Sequence, residues 1–135
     1  MNFFKKIINK LSEGYLYVIN INILKKHLEN ELEFSISNDL EASANLNIYY
    51  KGEKHHIQIW NFRASNFADE RAKGIIVYYD EIEYKSIEEL MENATIANIK
   101  LKDITDYFKI ELEDCDSVFL NEYKSQHPEL KIEDY

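Results

Sequence analysis

Few side chains in this sequence have the chemistry to ligate a metal or attack a substrate, and they lie scattered. His55 and His56 stand close to the only tryptophan, Trp60, in "NLNIYYKGEKHHIQIWNF", residues 45–62. Neighbours on a strand point to opposite faces, so two adjacent histidines cannot hold one ion from a regular strand. No HxxxH or CxxC spacing occurs, and no metal site is expected. The single cysteine, Cys115, sits in "ELEDCDS" among Glu111, Glu113, Asp114 and Asp116. Negative surroundings raise a thiol's pKa and disfavour the thiolate that attacks. The three glycines, Gly14, Gly52 and Gly74, form no phosphate-cradling loop. With 25 acidic residues, close carboxylate pairs are inevitable, so an acid–base pair has no specific signature. The expectation is no catalytic residues, no cofactor and no enzyme.

The elements that must position these residues come from periodicity. Phe4, Ile7, Ile8 and Leu11 recur at helical spacing near the N-terminus. From about Tyr15 to Asn30, Leu16, Ile19, Ile23 and His27 share a stripe with Leu24 and Leu28 beside it, which predicts a second helix. The "YLYVININ" start of that stretch also has the β-branched and aromatic content of a strand. "ELEFSIS" alternates, with Leu32, Phe34 and Ile36 on one side, and predicts a strand.

The opening stretch reads as a hairpin. With Gly52-Glu53 as a two-residue turn, glycine first, Lys51 faces Lys54 and the pairing runs outward through Tyr49–His56, Ile48–Ile57 and Leu46–Ile59. One face then collects Ala44, Leu46, Ile48, Ile57 and Ile59. The other collects Asn45, Asn47, Tyr49, His56, Gln58 and Trp60. After a polar connector with a helical turn near residues 66–72, "GIIVYYDEIEY" reads as another strand. Ser86 and Glu89 make a capping box before Leu90 and Met91. A short helix is expected over Asp103–Phe108. A last one, capped by Asp116 or Ser117, carries Val118, Phe119, Leu120 and Tyr123 and ends before Pro128. The outline is an α+β fold in two layers: N-terminal helices, an antiparallel meander of about four strands, then C-terminal helices.

A chain of 135 residues, 45% hydrophobic and with one proline, suits a single compact domain over 1–135. Lysines and Asn9 break the apolar run of "MNFFKKIINKL", which argues against a secretory signal, and the lone cysteine fits a reducing, cytoplasmic setting. The apolar run from Tyr15 to Leu24 is too short to span a membrane, and no membrane partner is expected. Fourteen lysines against two arginines, with abundant isoleucine and asparagine, suit an AT-rich bacterial genome.

Charge is uneven. The net charge is −9, and residues 80–135 hold sixteen acidic and six basic side chains, a balance of −10. A phosphate backbone is repelled by that half, so nucleic acid is disfavoured as a partner, while a basic protein is attracted. Tyr78, Tyr79 and Tyr84 flank the run Asp80, Glu81, Glu83, and with Glu111, Glu113, Asp114 and Asp116 they form the candidate partner-binding set. Trp60 is a further anchor if its sheet face is open, and a core residue if helices cover it.

In its size, acidity, tyrosine content and cysteine poverty the chain resembles bacterial immunity proteins against contact-dependent growth inhibition and other polymorphic toxins. That resemblance implies binding and neutralisation of a cognate toxin domain, often a basic nuclease. The competing expectations are an inhibitor or adaptor of another basic protein, encoded by a phage or the host, and a small enzyme with a hidden carboxylate pair.

Overall fold

The computed structural model describes residues 15–113 and 118–126. The helix expected over residues 2–11, Cys115, and the site candidates Asp114 and Asp116 lie outside these residues. Strands β1 (Tyr15–Ile19), β2 (Ala42–Tyr50), β3 (Glu53–Asn61), β4 (Ile75–Tyr79), β5 (Ile82–Tyr84) and β8 (Phe108–Leu112) build one antiparallel sheet in the order β1-β8-β2-β3-β4-β5. Strands β6 (Thr95–Ile96) and β7 (Ile99–Lys100) pair separately. The helices are α1 (Ile21–Ser37), α2 (Ala68–Arg71), α3 (Ile87–Asn93) and α4 (Val118–Gln126). The fold is α+β, with six strands in the main sheet rather than about four.

The N-terminal half departs from the pattern reading in two places. Tyr15–Ile19 is a strand, because it finds a partner in β8: Tyr17 opposes Ile110 and Ile19 opposes Phe108. The helix begins only after Asn20, whose side chain accepts from the Ile23 N–H at 3.0 Å. It then runs through Ser37 and absorbs the stretch expected as a strand. The buried stripe Leu24, His27, Leu28 and Ser35 keeps helical spacing, whereas Phe34 and Ile36 of the alternating set are 57% and 44% exposed. Asp39, at φ 51, ends the helix in the left-handed region.

The β2–β3 hairpin forms, with its register moved by two residues. Lys51 (φ 47) and Gly52 (φ 82) are the turn, both in the left-handed region as a type I′ turn requires. Tyr50 therefore opposes Glu53, Ile48 opposes His55 and Leu46 opposes Ile57. An even slip leaves every side chain on its expected face, and Leu46, Ile48, Ile57 and Ile59 are all 0% exposed. A bulge between Ser43 and Leu46, with Ala44 at φ 52, changes the offset so that Ser43 opposes Ile59 and Ala42 opposes Trp60.

"GIIVYYDEIEY" is two strands, folded at Asp80-Glu81 with Asp80 at φ 54. The N-cap half of the capping box forms, with the Glu89 N–H donating to Ser86 Oγ at 3.0 Å, while Glu89 Oε2 reaches one residue further back and accepts from the Lys85 N–H at 2.9 Å. The short helix expected over Asp103–Phe108 is replaced by a 3-10 turn at Leu101–Asp103, and Phe108 opens β8. This late strand inserts between β1 and β2. Helices α1, α3 and α4 cover one face of the sheet, where Leu24, Leu28, Leu90 and Leu120 meet the strand residues in a single core. No described helix is long and apolar enough to cross a membrane.

Candidate interaction face

Alternation along the strands divides the sheet into a face under the helices and an opposite face. Cross-strand pairing assembles the opposite face in rows. Leu16, Glu111, Asn47 and His56 form one row through β1, β8, β2 and β3. Gln58 and Tyr78 continue on β3 and β4, with Glu83 beside Tyr78 on β5. Glu113 joins next to Asn45, its N–H donating to the Asn45 carbonyl at 3.2 Å. Trp60 and Ile76 make a further pair. Tyr49, Trp60, His56, Gln58 and Tyr78 are all half-buried, so these aromatics present area to solvent.

The polar groups here are interlocked. Asn47 Nδ2 donates to Glu111 Oε1 at 2.9 Å and to Glu113 Oε1 at 2.7 Å, so one amide bridges two carboxylates. The Tyr49 hydroxyl donates to Glu111 Oε1 at 2.9 Å. Glu111 and Asn47 are buried, at 4% and 3% exposure, and each satisfies the other. His56 Nε2 bonds Asn45 Oδ1 and stands 3.6 Å from Glu113 Oε2. Tyr78 donates to Glu83 Oε1 at 3.4 Å; burial first, then the Glu83 charge, raises its hydroxyl pKa. Trp60 stacks on Phe62 with centroids 5.4 Å apart. One end of the face carries Lys54, over the Tyr49 ring at 5.7 Å, and Lys109 opposite Tyr49 on β8.

The candidate binding residues divide among three places. Tyr78, Glu83, Glu111, Glu113 and Trp60 share this face. Asp80 and Glu81 sit in the β4–β5 turn, where Asp80 Oδ2 meets His55 Nδ1 at 2.6 Å and Asp80 Oδ1 accepts from the His56 N–H at 2.9 Å. Tyr79 and Tyr84 point to the helical side. Tyr79 is 3% exposed and donates to the Thr95 carbonyl at 2.7 Å, so it serves the core; Tyr84 packs half-buried against that core. The residues that the candidate set omitted, Asn45, Asn47, Tyr49, His56 and Gln58, were already grouped on one hairpin face by alternation. The late strand adds Glu111 to them.

His55 and His56 take opposite faces, as strand geometry requires. Among the described residues no group of three or more His, Cys, Asp and Glu is arranged to hold a metal ion. Such a face can accept hydrogen bonds at its carboxylates and amides and stack flat groups on its rings. Comparison of the chain with protein-family models, with curated proteins and with solved structures finds no match.

Proposed function

We propose that this chain is a protein-binding module of the toxin-immunity kind, engaging a basic toxin domain through the sheet face opposite its helices. One observation carries the reading. Tyr49, Trp60 and Tyr78 stand half-buried on a single face, with some area open to solvent, among Glu83, Glu111 and Glu113. Aromatics ringed by satisfied polar groups are the composition of an interface centre. Glu113, exposed and held by the Asn47 amide, offers an acceptor already fixed in place, so little side-chain entropy is lost when a lysine or arginine arrives. The row Lys54–Tyr49–Lys109 lies at one end and Glu83 and Glu113 lie away from it, which gives a partner one favoured orientation. The net charge of −9 adds long-range attraction for a basic protein.

Co-purification with the product of the gene immediately upstream tests the reading. A stable complex whose formation protects Tyr49, Trp60 and Tyr78 from solvent supports it. No complex with that product, or a complex that leaves these residues accessible, overturns it. The approach of His56 to Glu113 favours a second reading, an acid–base pair acting on a substrate laid on the same face. Under that reading Glu113→Gln abolishes turnover and leaves protein binding intact.

A further inference from the structure

Strand β5 is shorter than the strand it borders. It pairs with β4 only from Tyr79 back to Val77, which opposes Tyr84, and the chain then leaves the sheet for α3. The start of β4, Ile75 and Ile76, has no strand on that side among the described residues. Backbone bonding in an antiparallel ladder alternates from side to side. The Phe62 N–H donates to the Gly74 carbonyl at 2.8 Å, so Gly74 bonds towards β3, and Ile75 turns its N–H and C=O the other way. No described group bonds them there. They open into a groove of about 680 Å³ walled by Leu32, Tyr84 and Ile87, within the roughly 300–1,000 Å³ of binding clefts. Charge along this groove is uneven. Arg63 follows Phe62 and so lines the Gly74 end with Lys73, and its guanidinium has no ion pair among the described residues. The glutamates of the lining, Glu83, Glu88 and Glu89, come from β5 and α3 instead, where Lys25 holds Glu88 at 2.9 Å.

We propose that this groove docks an extended segment of a partner protein, which adds to the β4 edge with an apolar residue beside Ile75 and an acidic residue next to it at the Arg63 end. The backbone of such a segment supplies the acceptor and the donor that Ile75 faces, the pairing that extended peptides make at sheet edges. A residue bonded to Ile75 places its side chain on the face that Ile75 shares with Val77 and Tyr79, where Leu32 and Ile87 give it an apolar seat. Its neighbour turns to the other face. At the Gly74 end that neighbour meets Lys73, which stands over the Phe62 ring at 5.1 Å, and the Arg63 fork, which can bond a carboxylate twice. Edge lysines deter uncharged strands, so Lys73 and Lys85 make the carboxylate a condition of entry. The groove lies at the sheet edge and meets the interaction face only at Ile76 and Glu83, so its occupant need not be the toxin.

The test pans a phage library of random octapeptides against the full chain, then titrates the best binder, synthesised with capped ends, into isotope-labelled protein. The selected sequences should share an aspartate or glutamate next to an apolar residue, and the amide NMR shifts should centre on Ile75, Ile76 and Ile87. Arg63 is exposed, so Arg63→Ala should fold, and it should weaken the peptide by about three- to ten-fold. N-methylation of each peptide position in turn should find one beside Ile75 where affinity falls about five-fold. Selection of no peptide, shifts centred on α1 or on Tyr49 and Trp60, or an affinity indifferent to both Arg63→Ala and N-methylation would each overturn the proposal. Shifts at Ile75 that grow with protein concentration before any peptide is added would assign the edge to a second copy, and overturn it as well.

Discussion

His55 lies flat on Tyr79, ring centroids 4.9 Å apart and planes 18° from parallel, and the stack ties the β2–β3 hairpin to the β4–β5 hairpin. Asp80 completes the junction from the second turn, and Glu53 Oε1 reaches His55 Nε2 at 3.2 Å. Burial lowers the imidazole pKa, but the bonds to Asp80 and Glu53 and their charges outweigh it, and the net shift is upward. Burial likewise raises the Asp80 pKa, and the bonds from His55 and the His56 N–H reverse it to a net lowering.

These directions set a pH window. A histidine raised above 6.5 contributes stability that is full below 6.5 and is lost as pH rises through its folded value. An aspartate lowered below 3.8 contributes stability that is present above 3.8 and is lost as pH falls through its folded value. The junction should therefore be strongest between about pH 4 and 6.5, and Asp80→Ala should cost most there. With Asp80 46% exposed, solvent screening holds the ionic part to less than about 1 kcal/mol, beside about 1 kcal/mol for the lost backbone bond. Urea unfolding of Asp80→Ala and wild type across pH 4–9 checks this; a difference that does not vary with pH refutes the ionic part.

His27 works in the opposite sense. Burial lowers its pKa from 6.5 to about 4, so the unfolded chain binds the extra proton first. Stability is full above pH 6.5 and declines as pH falls towards 4. The loss by pH 4.5 is about 2–3 kcal/mol. Glu31, one turn on, has its carboxyl raised by burial, which favours the folded state as pH falls and offsets part of the loss. His27→Leu should remove the histidine's share, so the two proteins should converge in stability between pH 7 and 4.5 when measured by urea melts. Parallel curves would show that His27 is not the titrating group.

The β2–β3 turn makes a mechanical prediction. Lys51 holds φ 47, a conformation that suits asparagine better than lysine at the first position of a type I′ turn. Lys51→Asn should stabilise the chain by about 0.5 kcal/mol without changing register. Ile57→Ala, which empties a 0% exposed position opposite Leu46, should cost roughly 2–5 kcal/mol. Thermal unfolding of both variants checks the pair, and a destabilising Lys51→Asn would contradict the turn type.

What the sequence discloses about this fold depends on how far a residue's partner lies along the chain. Asn45–Trp60 sorted correctly into two faces because the turn and the alternation are local. The turn itself slipped because glycine serves either position of a primed turn: placed first it gives Gly52-Glu53, placed second Lys51-Gly52. The Ser86–Glu89 cap and the helix carrying Val118, Leu120 and Tyr123 were legible for the same local reason. Strand β8 was not, since "FKIEL" is five residues long and pairs with Leu46–Tyr49 and Tyr15–Ile19, far away in sequence. Tyr15–Ile19 then followed its distant partner over its helical stripe. The candidate site shared that fate. Alternation put Tyr49 and Trp60 together, while Glu111 and Glu113 stood out only as local charge until β8 brought them beside Asn47.

The toxin binding proposed for the candidate interaction face yields the last prediction, which separates anchors from steering charges. Tyr49, Tyr78 and Trp60 are half-buried already, so each loses little freedom on binding and brings apolar area to the centre of the contact. Their replacement by alanine should raise the off-rate of the proposed complex by about ten- to a hundred-fold and leave the on-rate almost unchanged. Tyr49 needs a control, because its hydroxyl also satisfies Glu111; Tyr49→Phe separates that bond from the ring. Glu83 and Glu113 are exposed and act at a distance, so Glu83→Gln and Glu113→Gln should lower the on-rate by about two- to five-fold. That loss should shrink as salt rises from about 0.05 to 0.5 M and the Debye length contracts to a few ångströms. Stopped-flow association and surface-plasmon dissociation with the upstream gene's product measure both halves. If neither salt nor the glutamate variants change the on-rate, electrostatic steering is excluded. If the aromatic variants leave the off-rate intact, the interface lies on another face.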